Sequence, residues 1–109
     1  MRKRRLKIMP SKKSLPQQQC ADKLKVLGDT TRLSVMSLLM SGPRTVTELN
    51  EVLEMDQSLL SHHLKILRDA GLVESVREGK GMLYSLAEGV DLSRAGKMIN
   101  LGCCKLKFE

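Results

Sequence analysis

Three cysteines, Cys20, Cys103 and Cys104, and one histidine pair, His62-His63, carry the strongest nucleophilic and metal-binding chemistry in this 109-residue chain. Thiolates are soft donors, and two of them can also close a disulfide or polysulfide link. The competing reading is that the cysteines are small apolar side chains kept reduced. Adjacent residues on a helix point about 100° apart, so the two imidazoles are poor joint ligands. Neither set suggests an enzyme. The cysteines form no Cys-x-x-Cys pair, no glycine-rich loop could cradle a phosphate, and no serine has a matching His and acid.

A different chemistry surrounds the histidines. At helical spacing, Leu60, Leu64 and Leu67 share one face of the segment 57–70, with Ile66 and Ala70 beside it. The opposite face carries Gln57, Ser58, Ser61, His62 and Lys65. These are compact donors and acceptors with one formal charge among them, which suits base edges in a major groove. Gln can pair two atoms of adenine, and Ser can serve either base type. A merely solvated helix would more often carry Glu and Lys there. The pattern predicts a helix that reads double-stranded DNA, with His62 as a contact and His63 partly buried or turned toward a second copy of the chain.

The flanking segments can position such a helix. Thr45 precedes Glu48 by three residues, the capping-box spacing, and opens a helix whose apolar stripe is Val46, Leu49, Val52 and Leu53. Glu54-Met55-Asp56 forms the turn, with Asp56 as cap of the next helix, completing a helix-turn-helix. Upstream, Cys20, Leu24 and Leu27 mark one face of a first helix, stopped by Gly28. Asp29 and Thr30 cap a second over 31–40, with Leu33, Met36, Leu39 and Met40 inward and Arg32 outward. Downstream, 72–77 and 82–86 read as strands around the turn Glu78-Gly79-Lys80-Gly81. Arg77 and Lys80 at that tip are either phosphate contacts or solvated charges. A last helix is expected from Asp91 or Leu92 to about 101. The fold class is mainly α with a small β-hairpin, a winged helix-turn-helix of order ααααββα.

Composition agrees with packed helices. One Phe, one Tyr and no Trp leave the core to aliphatic residues and seven Met. The formal net charge is +7. Arg2, Lys3, Arg4, Arg5, Lys7, Lys12 and Lys13 fall in residues 1–19 with no acid among them, and the rest of the chain is balanced. Three regions follow: a basic arm over 1–19 expected to be disordered, a winged-helix domain over 20–102, and a cysteine-containing tail over 103–109. The arm either follows a phosphate backbone or is a solvated leader. No continuous apolar segment follows the charges, and none elsewhere approaches the ~18 residues of a membrane span. A cytoplasmic protein is expected. So small a core favours pairing two copies.

A family resemblance joins these observations. Leu27-Gly28-Asp29-Thr30-Thr31-Arg32-Leu33 resembles the second-helix signature of ArsR/SmtB-type repressors, and residues 57–73 look like their recognition helix and the start of the wing. The match covers about 20–101. It implies a homodimeric transcriptional repressor with the first and last helices at the dimer interface. Such proteins bind an operator and usually leave it when a metal, metalloid or oxidant alters them. By position, Gln57, Ser58, Ser61 and His62 match the family's DNA-contacting residues.

Two common metal sites of that family are incomplete. Asn50-Glu51-Val52 stands where the third-helix site has cysteines. In the last-helix zinc pattern Asp91 is present, but Ser93 replaces the His and no later His follows. No cofactor is required. The resemblance brings Cys20, Cys103 and Cys104 together across the dimer. Three sulfurs without imidazole or carboxylate suit As(III) or Sb(III), which favour a pyramid of thiolates. That metalloid is the expected inducer. A thiol-redox or persulfide response, and a winged helix that binds protein without an inducer, are the alternatives.

Overall fold

The computed structural model describes residues 16–92, 98–101 and 104–107. Residues 1–15 of the basic arm, and Cys103, lie outside them. Four helices form: α1 (Pro16–Val26), α2 (Thr30–Leu39), α3 (Val46–Leu53) and α4 (Gln57–Asp69). Helix α1 begins before the expected boundary at residue 20, so Gln17, Gln18 and Gln19 are helical rather than part of an arm.

The caps read at Asp29, Thr45 and Asp56 are made, while Thr30, also read as a cap, is the first residue of α2. Asp29 accepts from Arg32 N at 3.0 Å at the start of α2. Thr45 and Glu48 satisfy each other's backbone N–H groups at 3.1 and 2.9 Å, closing the capping box of α3. Asp56 accepts from Ser58 N at 2.9 Å and opens α4. Each of these bonds fills an N–H that the first helical turn would otherwise leave without a partner.

The turn between α3 and α4 is locked by a residue with no assigned role in the sequence reading. Asn50 donates through Nδ2 to Met55 O and accepts from Met55 N, both at 2.9 Å. These paired bonds hold Glu54 in the left-handed region, at φ 50°, where a non-glycine residue is strained. Gly71, at φ 77°, supplies the corresponding reversal after α4 at little cost.

Strands β2 (Val73–Glu78) and β3 (Gly81–Leu86) form the expected antiparallel hairpin. Its two-residue loop places Gly79 at φ 61°, the conformation that a tight hairpin asks of its first central residue. A short strand, β1 (Arg44–Thr45), pairs with β3 and ties the start of α3 to the wing. Two residues carry no periodicity, so β1 is invisible in the sequence.

Leu49, Leu60, Leu64, Leu67 and Leu72 are fully buried in one core with Val35, Met36 and Val73. Burying each such side chain is worth about 1.5–3 kcal/mol. Two expected core residues lie elsewhere. Val52 is 57% exposed and Leu33 37% exposed.

Where the last helix was expected, the described residues 91–92 and 98–100 are strands. Among the described residues, β4 (Asp91–Leu92), β5 (Met98–Asn100) and β6 (Lys105–Lys107) form a second antiparallel sheet in the order β4-β5-β6. The order ααααββα therefore holds through the wing and fails at its final α. Leu92, Ala95, Met98 and Ile99 fit a helical stripe, but Met98-Ile99-Asn100 also fits a strand with only Ile99 inward. The partner decides: Lys105-Leu106-Lys107 alternates with period two and pairs Leu106 with Ile99. The expected tail beyond residue 103 is thus partly an edge strand, with Leu106 packed against the core.

Candidate nucleic-acid interface and thiol cluster

Helix α4 separates its two faces fully. Leu60, Leu64 and Leu67 are each 0% exposed. Gln57, Ser58, Ser61, His62 and Lys65 are all exposed. The buried stripe sets the rotation of the helix, so the polar face is presented without side chains having to move. Of the five, Lys65 is partly engaged, since its Nζ lies 2.9 Å from Asp69 Oδ2 one turn along. That exposed pair can be exchanged for a phosphate at small cost.

The wing adds two cations. Arg77 and Lys80 are exposed on and beside the β2–β3 loop. Between wing and α4 lies a cleft of about 380 Å³ lined by Gln57, Ser61, Lys80, Tyr84, Thr45 and Thr47, among others. Sequence reasoning placed Gln57, Ser61 and Lys80 at the interface but assigned no such part to Thr47 and Tyr84. The pairing of β1 with β3 brings them there, and no local signal announces it.

His63 faces the opposite way from His62. Its side chain is 12% exposed, and its Nδ1 lies 3.1 Å from Arg32 Nη1. Arg32, expected to lean outward, turns inward instead. Its Nε also donates to Val26 O at 2.7 Å, binding the end of α1 to α4 through a single side chain. The Arg32 backbone N–H holds the Asp29 carboxyl below the usual carboxylate range, helped by the Arg32 and His63 charges.

The thiols gather at the other end of α1. Cys20 Sγ lies 3.1 Å from Cys104 Sγ, a contact and not an S–S bond, while Cys20 itself is disulfide-bonded. Lys23, one turn further along α1, donates to Leu101 O at 3.2 Å. Leu101 N in turn donates to Cys104 O at 2.8 Å, closing the turn that presents Cys104. Two of the three cysteines singled out are therefore together. Cys103 lies outside the described residues. Among the described residues, no three His, Cys, Asp or Glu side chains group as a metal site. No described helix is long and apolar enough to cross a membrane.

Comparison with known proteins agrees with this geometry. Residues 29–75 match the family described as bacterial regulatory protein, arsR family. Over 68 residues the chain is 43% identical to the HTH-type transcriptional regulator NmtR of Mycobacterium tuberculosis, covering 62% of this chain and 57% of that protein. It is also 43% identical, over 65 residues, to the arsenical resistance operon repressor of Bacillus subtilis, covering 59% of this chain and 62% of that one. The chain thus spans little more than half the length of these curated relatives. Among solved structures, it resembles the homodimeric winged helix-turn-helix DNA-binding domain Mb0332 of Mycobacterium bovis. There the TM-score is 0.62 at 33% identity, covering 67% of this chain and 68% of that one.

Proposed function

The chain belongs to the ArsR family of bacterial regulatory proteins, and from that premise we propose that it is a homodimeric transcriptional repressor released from its operator by a thiophilic effector. The observation that carries the DNA-binding half is the division of α4, with three leucines sealed in the core and Gln57, Ser58, Ser61 and His62 presented together. Those four read bases, while Lys65, Arg77 and Lys80 supply phosphate contacts. The cationic arm adds salt-dependent affinity for the duplex. The homodimeric solved relative supports pairing two copies on successive half-sites.

For the effector we favour arsenite or antimonite. The approach of Cys20 to Cys104 supports this, and Cys103 supplies a third sulfur in the same short segment of sequence. Condensation of arsenous acid with three thiols forms three As–S bonds and releases three waters, with no change of oxidation state. The similarity to an arsenical resistance operon repressor points the same way. Binding would favour a dimer geometry whose α4 helices no longer fit successive major grooves. One observation favours a second reading: Cys20 is disulfide-bonded, so the same thiols can hold an oxidised state and respond to an oxidant or persulfide.

An operator-release assay separates the readings. Release of the reduced protein by arsenite or antimonite, with none by zinc, cadmium or persulfide, is the expected result. Release by persulfide alone would replace the metalloid reading with the redox one. No binding to DNA at low salt would overturn the repressor reading itself.

A further inference from the structure

We propose that the cleft between α4 and the wing seats one backbone phosphate of the operator, with the Tyr84 hydroxyl as a donor to it. This rests on the DNA-binding reading above and adds to it a contact that the four base-reading side chains do not supply. Tyr84 is 7% exposed and belongs to the apolar core, yet it also lines the cleft of about 380 Å³ beside α4. Among the described residues its hydroxyl has no hydrogen-bond partner. Buried hydroxyls are nearly always partnered. An unused donor on so deeply buried a side chain, at the wall of a cleft, marks a place where a ligand supplies the acceptor.

The surrounding groups indicate which ligand. Lys80 is the one cation of the lining, and no carboxylate is part of it. Lys80 is exposed and, among the described residues, makes no ion pair. Thr47, exposed in the first turn of α3, adds a second hydroxyl at the positive end of that helix. Glu48 of the same turn folds its carboxylate back onto Thr45 N at 2.9 Å. An ammonium and two hydroxyls at a helix start, with no acid in the lining, suit the oxygens of a phosphate.

The donor is also held in place. Tyr84 lies in the central strand of the sheet β1-β3-β2, paired with Arg44 on one side and Ser75 on the other. A buried ring in a central strand has little rotamer freedom left to lose when DNA binds. Gln57 and Ser61 form the α4 wall of the same cleft. A phosphate seated against that wall fixes the register of the duplex along the reading helix.

Tyr84→Phe removes the hydroxyl and keeps the ring. By fluorescence anisotropy the variant should bind the operator about ten-fold more weakly. Unrelated duplexes should lose about the same factor, because a phosphate contact carries no sequence information. The thermal melt should match the wild type, since the hydroxyl bonds to nothing among the described residues. Methylphosphonate, placed at each phosphate of a half-site in turn, replaces one anionic oxygen by methyl. One position should weaken the wild type and leave Tyr84→Phe with no further loss. Equal operator affinity of the two proteins would overturn the proposal, and so would equal losses at every methylphosphonate position. A variant that melts well below the wild type would make the hydroxyl a structural group and overturn it too.

A free phosphate ion has the same chemistry as the backbone. Tyr84 is the only tyrosine in the chain, so fluorotyrosine labelling gives a single fluorine resonance that reports on the hydroxyl. Operator should shift it, and inorganic phosphate at an equal concentration of phosphate groups should not. An equal shift with inorganic phosphate would assign the cleft to the free ion and sink the proposal. If the wild type binds no duplex at low salt, the DNA-binding reading and this proposal fall together. If it binds and Tyr84→Phe binds as well, only this proposal falls.

Discussion

The two ends of α1 belong to different kinds of structure. Near its C-terminus, the caps and the turn of the reading half are held by bonds between close neighbours in sequence. Asp29 meets Arg32, Thr45 meets Glu48, Asn50 meets Met55 and Asp56 meets Ser58, none more than five residues apart. Around Cys20 and Lys23, the thiol end is held by ties spanning 84 and 78 residues. Local bonds form whenever their segment does. Distant ones form only once the whole chain has closed, at the cost of loop entropy. A reader that must fit a fixed groove benefits from the first kind. The switch proposed at the thiol end, which must come undone without unfolding the reader, benefits from the second.

The comparison is most exposed to a change in the reader's core. Leu64→Ala should destabilise the fold by about 2–5 kcal/mol, because it opens a cavity in a fully buried part of the core. Chemical denaturation measures it. A loss under 1 kcal/mol would mean that the reader is not the rigid half. Next comes the face of the same helix. Ser61→Ala or His62→Ala should cost about 1–3 kcal/mol of specific operator binding and leave stability nearly unchanged, by fluorescence anisotropy alongside a thermal melt. Equal affinity for the operator and for unrelated duplexes in the wild type would remove the premise.

The smallest effect tests the junction between the halves, where Asp29 caps α2 beside Arg32 and His63. Its carboxyl is depressed in the folded state, so its contribution to stability is present above the unfolded value of about 3.9 and disappears as pH falls through the lower folded value. Asp29→Asn keeps the cap and removes the charge. It should flatten the loss of stability below about pH 4, measured by denaturation across pH 2–6, with little change at pH 7. An unchanged acid limb would show that the Asp29 charge does not couple the two halves.

Much of the reader was legible before any coordinates. The caps at Asp29, Thr45 and Asp56, the leucine stripe of α4 and the hairpin at Gly79 all depend on residues within a few positions of one another, and spacing alone reveals them. Arg32 was misjudged because a charged residue near a helix start usually faces water. Here Val26 O and His63 Nδ1, from two other elements, draw it inward. The segment after residue 90 was misjudged for a related reason. Its apolar positions satisfy both a helical and a strand period, and the deciding partner, Lys105-Leu106-Lys107, pairs with it from further along the chain.

The sequence by itself therefore determined the helix-turn-helix, its wing and the exposed polar face of α4, because capping, turn chemistry and the 3.6-residue period act within one segment. Only the tertiary structure decided that β1 brings Thr47 and Tyr84 to the same cleft, that Arg32 joins α1 to α4, and that Cys20 lies against Cys104. Each of these is a meeting of segments far apart in the chain. Pairing and burial choose such partners, and no local pattern of residues encodes the choice.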